Sequence, residues 1–231
     1  MQTIGFIGGM SWESTALLYS LVNKEVAARL GGYHSARILL TSVDFADIET
    51  LQAAGRWEEA GALLADEARR LERAGADFLV LCTNTMHKVA SSIEDAVGIP
   101  LVHLGDATAD AILAKGVQKV GLLGTRFTME QDFYVDRIAA KGIEVIVPDS
   151  SDREVVHRVI YDELVHGIVS ADSRRAYQRV IESLVRHGAQ GIVLGCTEIE
   201  LLIGDGDTDV PVFATTKIHA LAAVDRALAL H

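Results

Sequence analysis

Cysteine and proline are scarce in this 231-residue chain, which has two of the first and three of the second. Cys82 and Cys196 stand far apart with no C-x-x-C spacing, so neither a disulfide framework nor a zinc knuckle is expected. Basic residues are also short: 21 Lys and Arg against 32 Asp and Glu leave a formal charge of −11. No Lys/Arg run is present to neutralise a row of phosphates, so neither nucleic acid nor an anionic membrane is an expected partner. No apolar run approaches the roughly 18 residues of a spanning helix. The start, MQTIGFIGGM, lacks the basic-then-apolar order of a secretory leader, and a cytoplasmic protein is expected. Walker A, G-x-G-x-x-G, G-x-S-x-G and H-E-x-x-H patterns are all missing, which argues against nucleotide, serine-hydrolase and metal chemistry; no metal ligand is assigned.

What is present is an alternation. Short runs rich in Val, Ile and Leu (4–8, 37–42, 78–82, 101–104, 120–123, 144–147, 192–194 and 210–213) read as strands. Several are continuously apolar, as strands covered on both faces are. Between them, 12–30, 57–74, 106–115, 129–140, 153–166, 174–187 and 217–230 have helical length and spacing. Ser11 is placed to cap the first helix, and Gly31, Gly75, Gly116, Gly142, Gly167 and Gly188 fall at helix C-termini. The order calls for an α/β fold with mainly parallel sheets.

The chain also echoes itself. IGFIGGMS near the start is similar to VGLLGTRF at 120–127, and GADFLVLCTNT to GAQGIVLGCTE, with Gly75 and Gly188 standing 113 residues apart. Two similar α/β domains related by pseudo-twofold symmetry would explain both matches, and would set the ends of equivalent strands across a cleft. The expected division is 1–98 plus 211–231 for the N-terminal domain and 99–210 for the C-terminal one. The plainer alternative is that any two βα units share Gly-capped apolar strands.

The two cysteine segments lie at the carboxyl ends of these echoing strands, where ligands sit in α/β sheets. The first segment supplies Cys82, Thr83, Asn84, Thr85 and His87, the second Gly195, Cys196, Thr197 and Glu198. Amide and hydroxyl side chains with backbone N–H groups form a neutral cradle for a small carboxylate. A thiol at such a place is either a base or nucleophile or a buried structural residue. Cys82, still inside its apolar run, suits the structural reading better, and Cys196 the chemical one.

GFIGGMSWEST, CTNTMH and LGCTEIE, in that order and with the internal repeat, resemble the cofactor-independent aspartate/glutamate racemase family over essentially the whole chain. The resemblance implies two α/β domains around one amino-acid site, with no cofactor. It also implies a cysteine from each half, one removing the α-proton and the other returning it on the opposite face. Here the first motif departs from the family's C-N-T, because Thr83 precedes Asn84-Thr85 and Cys82 lies one step back. Strand side chains alternate, so Cys82 does not replace position 83 without a register shift. A hydroxyl is a far weaker acid than a thiol, whose pKa is about 8.5, so one strong base, Cys196, is expected to face a weak partner, Thr83.

The resemblance further assigns Asn84, Thr85, Thr125 and Thr197 to the α-carboxylate and amino group, with Met10 and Ser11 in the first loop. Each also reads as a cap or turn residue. Gln52 and His166 are the counterparts offered for the distal carboxylate. Glu198 either orients Cys196 or favours a helix start. The expected activity is racemisation of aspartate or glutamate without pyridoxal phosphate, biased toward L. The alternatives are a one-thiol decarboxylase or isomerase of a dicarboxylate, and an amino-acid-binding protein without turnover. The expected partner is a small amino acid, and a homodimer is the assembly considered.

Overall fold

The computed structural model describes residues 1–229. It divides into two compact units: Met1–Leu104 joined by the chain from His219 onward, and Gly105–Ile218. Each is an α/β layer structure with an all-parallel sheet.

In the first unit the sheet order is β2-β1-β3, formed by β1 (Ile4–Gly8), β2 (Ile38–Ser42) and β3 (Phe78–Leu81). Alternation sends Ile4, Phe6, Phe78, Val80 and Cys82 to one face, against Leu18, Val22 and Val26 of α1 (Trp12–Leu30) and Ala220, Ala223 and Val224 of α10 (Thr215–Leu228). Ile7, Leu79 and Leu81 turn to the other face, against Ala60, Leu64, Ala68 and Leu71 of α3 (Trp57–Arg73) and Ile93 of α4 (Ala90–Glu94). The four α3 residues recur at helical spacing, and each fully buried leucine is worth about 1.5–3 kcal/mol. The second unit repeats the plan with one strand more, in the order β5-β4-β6-β7. Its strands are β4 (Lys119–Leu123), β5 (Glu144–Ile146), β6 (Ile192–Leu194) and β7 (Val212–Ala214). Tyr177, Val180, Ile181 and Leu184 of α9 (Ala171–Arg186) cover it with Val156, Val159 and Ile160 of α8 (Ser150–Asp162).

The repeat extends to packing detail. A Cβ on Gly5 of β1 would sit 2.8 Å from Leu79 Cδ2 and 3.3 Å from Leu71 Cβ; one on Gly121 of β4 would sit 2.8 Å from Leu184 Cδ1. The covering helix lies against the central strand in both units because these positions have no side chain.

Several expectations are corrected. The segment 101–104 is not a strand: Leu101 makes a single bridge to Leu79, and Leu104 already opens α5 (Leu104–Ala114). The helix expected at 129–140 is two, α6 (Arg126–Glu130) and α7 (Asp132–Ala139), broken by the extended backbone of Gln131 at φ −108°, ψ 142°. Asp149 and Ser170 accept from Asp152 N and Ser173 N, so α8 and α9 start earlier than expected. Helix α2 (Phe45–Ala53) was not expected at all; only Ile48 of it is buried, too little for a periodic signal. The last strand begins at Val212, because Pro211 has no N–H to donate while its carbonyl accepts from Ile192 at 2.9 Å. That strand pairs with β6 and belongs to the second sheet, so residues 211–218 do not go with the first unit. Leu230, the expected end of the last helix, and His231 lie outside the described residues. Among the described residues no helix is long and apolar enough to cross a membrane.

Valine at Gly121 must push Leu184 and α9 off the strand, and such overpacking costs about 1–3 kcal/mol. We expect Gly121→Val to lower the urea midpoint accordingly while leaving the denaturant slope unchanged. An unaltered midpoint would contradict the close approach.

Candidate active site

In both units the chemistry-bearing segments follow the carboxyl ends of two paired strands. In the first, Gly9–Ser11 follow β1 and Cys82–Thr85 follow β3. Gly9 has φ +94°, and a Cβ there would lie 2.3 Å from the Val43 carbonyl oxygen, so only glycine lets the loop pass. Ser11 caps α1, its Oγ accepting from Ser14 N at 3.2 Å. The Met10 side chain is buried with Ile7, Ile48 and Met86, which leaves its backbone as what the loop can offer. Gln52, on α2, donates from Nε2 to Met86 Sδ at 2.8 Å, bringing it to the turn that follows β3.

That turn is partly open to solvent. Thr83, Asn84 and Thr85 are half-buried, and Thr85 begins a short 3₁₀ helix (Thr85–Val89). Among the described residues the Thr83 and Thr85 hydroxyls have no hydrogen-bond partner. Asn84 Oδ1 is buried without a donor, a costly condition for an amide oxygen. Cys82 continues the inner face of β3 against α10, and burial pushes its thiol pKa far up. It is a buried thiol within the packed core of the first unit.

In the second unit Thr125 follows β4 and caps α6, its Oγ1 3.4 Å from Thr128 N and 3.3 Å from Thr128 Oγ1. Cys196 follows β6, extended at φ −149°, ψ 132°, before the 3₁₀ helix Thr197–Leu201. Its Sγ donates to Glu198 Oε2 at 2.8 Å. Burial raises the thiol pKa well above its ordinary value and the Glu198 carboxylate raises it further, while the backbone N–H groups of Glu198 and Ile199 oppose both. The resting group is therefore a thiol with a carboxylate in place to take its proton. Thr197 Oγ1 accepts from Thr216 Oγ1 at 3.2 Å, and Thr216 N donates to Glu200 Oε1 at 3.1 Å. His166 is exposed, at the end of a 3₁₀ turn (Leu164–His166) beside the Cys196 helix.

The hydrogen-bond register fixes which residues correspond. Cys82 N donates to Ile7 O at 2.9 Å in the first unit, and Gly195 N to Leu123 O at 2.7 Å in the second. Ile7 corresponds to Leu123 and Cys82 to Gly195 in the repeat, so the counterpart of Cys196 is Thr83.

Two features escaped the sequence. Gln131 Oε1, at the break after α6, is a second buried amide oxygen without a partner; the expected continuous helix hid it. Three imidazoles, His87, His103 and His219, gather in the first unit, each 3–5% exposed. Among the described residues no group of His, Cys, Asp or Glu is arranged to hold a metal ion. Two surface hollows of the second unit, about 500 Å³ each, contain none of the candidate residues.

Two α/β units with all-parallel sheets, one with a thiol–carboxylate pair after its central strand pair and the other with a hydroxyl–amide turn, define a class of two-unit α/β proteins. The sequence matches the Asp/Glu/hydantoin racemase family over residues 7–223, and the chain belongs to that family. A protein from Yersinia pestis described as an Asp/Glu racemase has a similar solved structure at 58% identity and TM-score 0.96, covering 99% of this chain and all of that one. An aspartate racemase homologue from Pyrococcus horikoshii gives 37% identity and TM-score 0.87, covering 98% and 99%. The broad specificity amino-acid racemase RacX of Bacillus subtilis is 24% identical over 172 residues, 71% of this chain and 70% of that one.

The buried histidines give the fold a pH dependence. His219 is held at about 4 and His87 well below 6.5, burial being the largest cause in each. The unfolded chain takes up protons near pH 6.5 while the folded one resists, so stability is full above about pH 6.5 and falls as pH drops toward 4. Thermal melts from pH 8 to 4.5 should show a loss beginning near pH 6.5, and a flat profile would contradict neutral burial.

Proposed function

We propose that this chain is a cofactor-independent racemase of aspartate or glutamate in which Cys196 removes the α-proton and Thr83 stands at the second base position. The observation that carries this reading is the register correspondence of Thr83 with Cys196, together with the Cys196–Glu198 bond. Glu198 accepts the thiol proton as the substrate binds, which leaves the thiolate to attack the α-hydrogen. The resulting carbanion needs donors aimed at the α-carboxylate, since fixed dipoles placed where charge develops usually do more than any other effect to lower such a barrier. Thr85 and Thr197 hydroxyls supply donors, the Thr125 hydroxyl keeps its O–H for the same purpose while its oxygen caps α6, and the orphaned Asn84 Oδ1 suits the α-ammonium. Gln52 and His166 are the groups offered for the distal carboxylate.

A threonine hydroxyl is a poor base but can still deliver a proton through water, so the L enantiomer is the favoured substrate and inversion is slow. We expect Cys196→Ala to lower α-proton exchange of L-aspartate and L-glutamate in heavy water by at least about 100-fold, the span of a general base. Full retention of exchange would remove Cys196 from the mechanism. Exchange without inversion would favour a one-base enzyme, and binding with neither a protein without turnover.

Thr83→Cys should raise exchange of the D enantiomer by about tenfold or more, because its pKa comes closer to the working pH. Equal wild-type rates on both enantiomers, or no gain for D in the variant, would defeat the two-base assignment.

A further inference from the structure

The buried histidine cluster is unexplained by the proton chemistry. His87 Nδ1 lies 2.7 Å from the Thr83 carbonyl oxygen, which only accepts, so Nδ1 carries the hydrogen. Leu104 N donates to His87 Nε2 at 3.2 Å. These two bonds hold His87 neutral in one tautomer. The His103 and His219 rings stand edge-on at 4.7 and 5.7 Å, and His219 Nε2 donates to Val102 O at 2.8 Å.

Leu104 is the first residue of α5 and the last of the first unit, so the chain crosses to the second unit within the first turn of that helix. It crosses back within the first turn of α10, between Ile218 and His219. The internal repeat supplies an independent second instance of the His87 arrangement. Glu200, four residues past Cys196 as His87 is four past Thr83, accepts from Thr216 N in the first turn of α10. Through Thr216 Oγ1 the same contact reaches Thr197. Two unlike side chains thus do one job at corresponding places.

We infer that His87 and Glu200 are a matched pair of positioning residues, each tying one candidate turn to the first turn of the helix in which the chain passes between units. His87 reaches the Thr83 carbonyl and not its hydroxyl, so it carries no proton for the reaction. It holds the Thr83–Thr85 turn so that its unpartnered groups stay aimed at the ligand, and Glu200 does so for Thr197. This inference rests on the racemase reading for its kinetic consequence only.

The test uses the full chain with leucine and glutamine at each position. Glutamine keeps an acceptor for the helix N–H and leucine does not. His87→Leu and Glu200→Leu should each lower kcat for L-aspartate exchange by about 10–100-fold, the effect of misplacing groups by about 1 Å. His87→Gln and Glu200→Gln should recover most of that loss, measured where melts show every variant folded. Amide hydrogen exchange at Thr83, whose N–H donates to Leu81 O at 2.9 Å, should speed up about tenfold in His87→Leu, and ¹⁵N-imidazole spectra of the wild type should show His87 protonated on Nδ1 alone. A leucine variant with wild-type kcat, a glutamine variant no better than leucine, or an Nε2-protonated His87 would overturn the inference. If a leucine variant fails to fold, the glutamine variant and the wild-type spectrum still decide. Wild type that exchanges no α-proton would overturn the racemase reading alone; His87 would then be judged by the amide exchange, and unchanged protection at Thr83 would overturn its role.

Discussion

Parallel pairing of a central strand with its neighbour is the constraint on which the site in each unit depends. With β1 beside β3, and β4 beside β6, the loops that leave those strands emerge side by side at the same sheet edge. The ladder does not stop where the strands are usually said to end. One more bond, Cys82 N to Ile7 O or Gly195 N to Leu123 O, carries the pairing to the residue just before Thr83 or Cys196. The position proposed as reactive in each unit is therefore placed by backbone geometry before any side chain contributes. A substitution of thiol by hydroxyl changes the acid strength there without disturbing its location.

The polar groups around those positions fall into two sorts. Ser11 and Thr125 are occupied in capping helices, so their hydroxyls stabilise the loop that carries them. Thr83, Asn84 and Thr85 leave hydroxyls and an amide oxygen unspent, a condition that folding alone does not favour. The difference separates hydroxyls already engaged by the fold from groups that it leaves unpaired.

Much of this was legible in the sequence for identifiable reasons. Continuous apolar strands, glycine stops and the doubled motifs are local signals, and they announced the parallel α/β plan and the family. The alternation argument that turned Cys82 inward needed only the period of a strand, and Cys82 indeed packs against α10. What stayed hidden depended on distant partners. Gln131 breaks a helix through an extended backbone that no proline or glycine marks, α2 lacks a buried stripe, and His87 gains its Nε2 partner only when Leu104 arrives from elsewhere in the chain.

The enclosed, protonated state of the two thiols also governs how the protein meets oxidants. Peroxide reacts with thiolate and not with thiol. Cys82 is walled in by alkyl groups, and Cys196 keeps its hydrogen on sulfur through burial and the adjacent Glu198. The burial and carboxylate that hold Cys196 as a thiol are thus also a shield against sulfenic acid, and under the proposed function vulnerability to oxidation is confined to the brief moments when the thiolate forms.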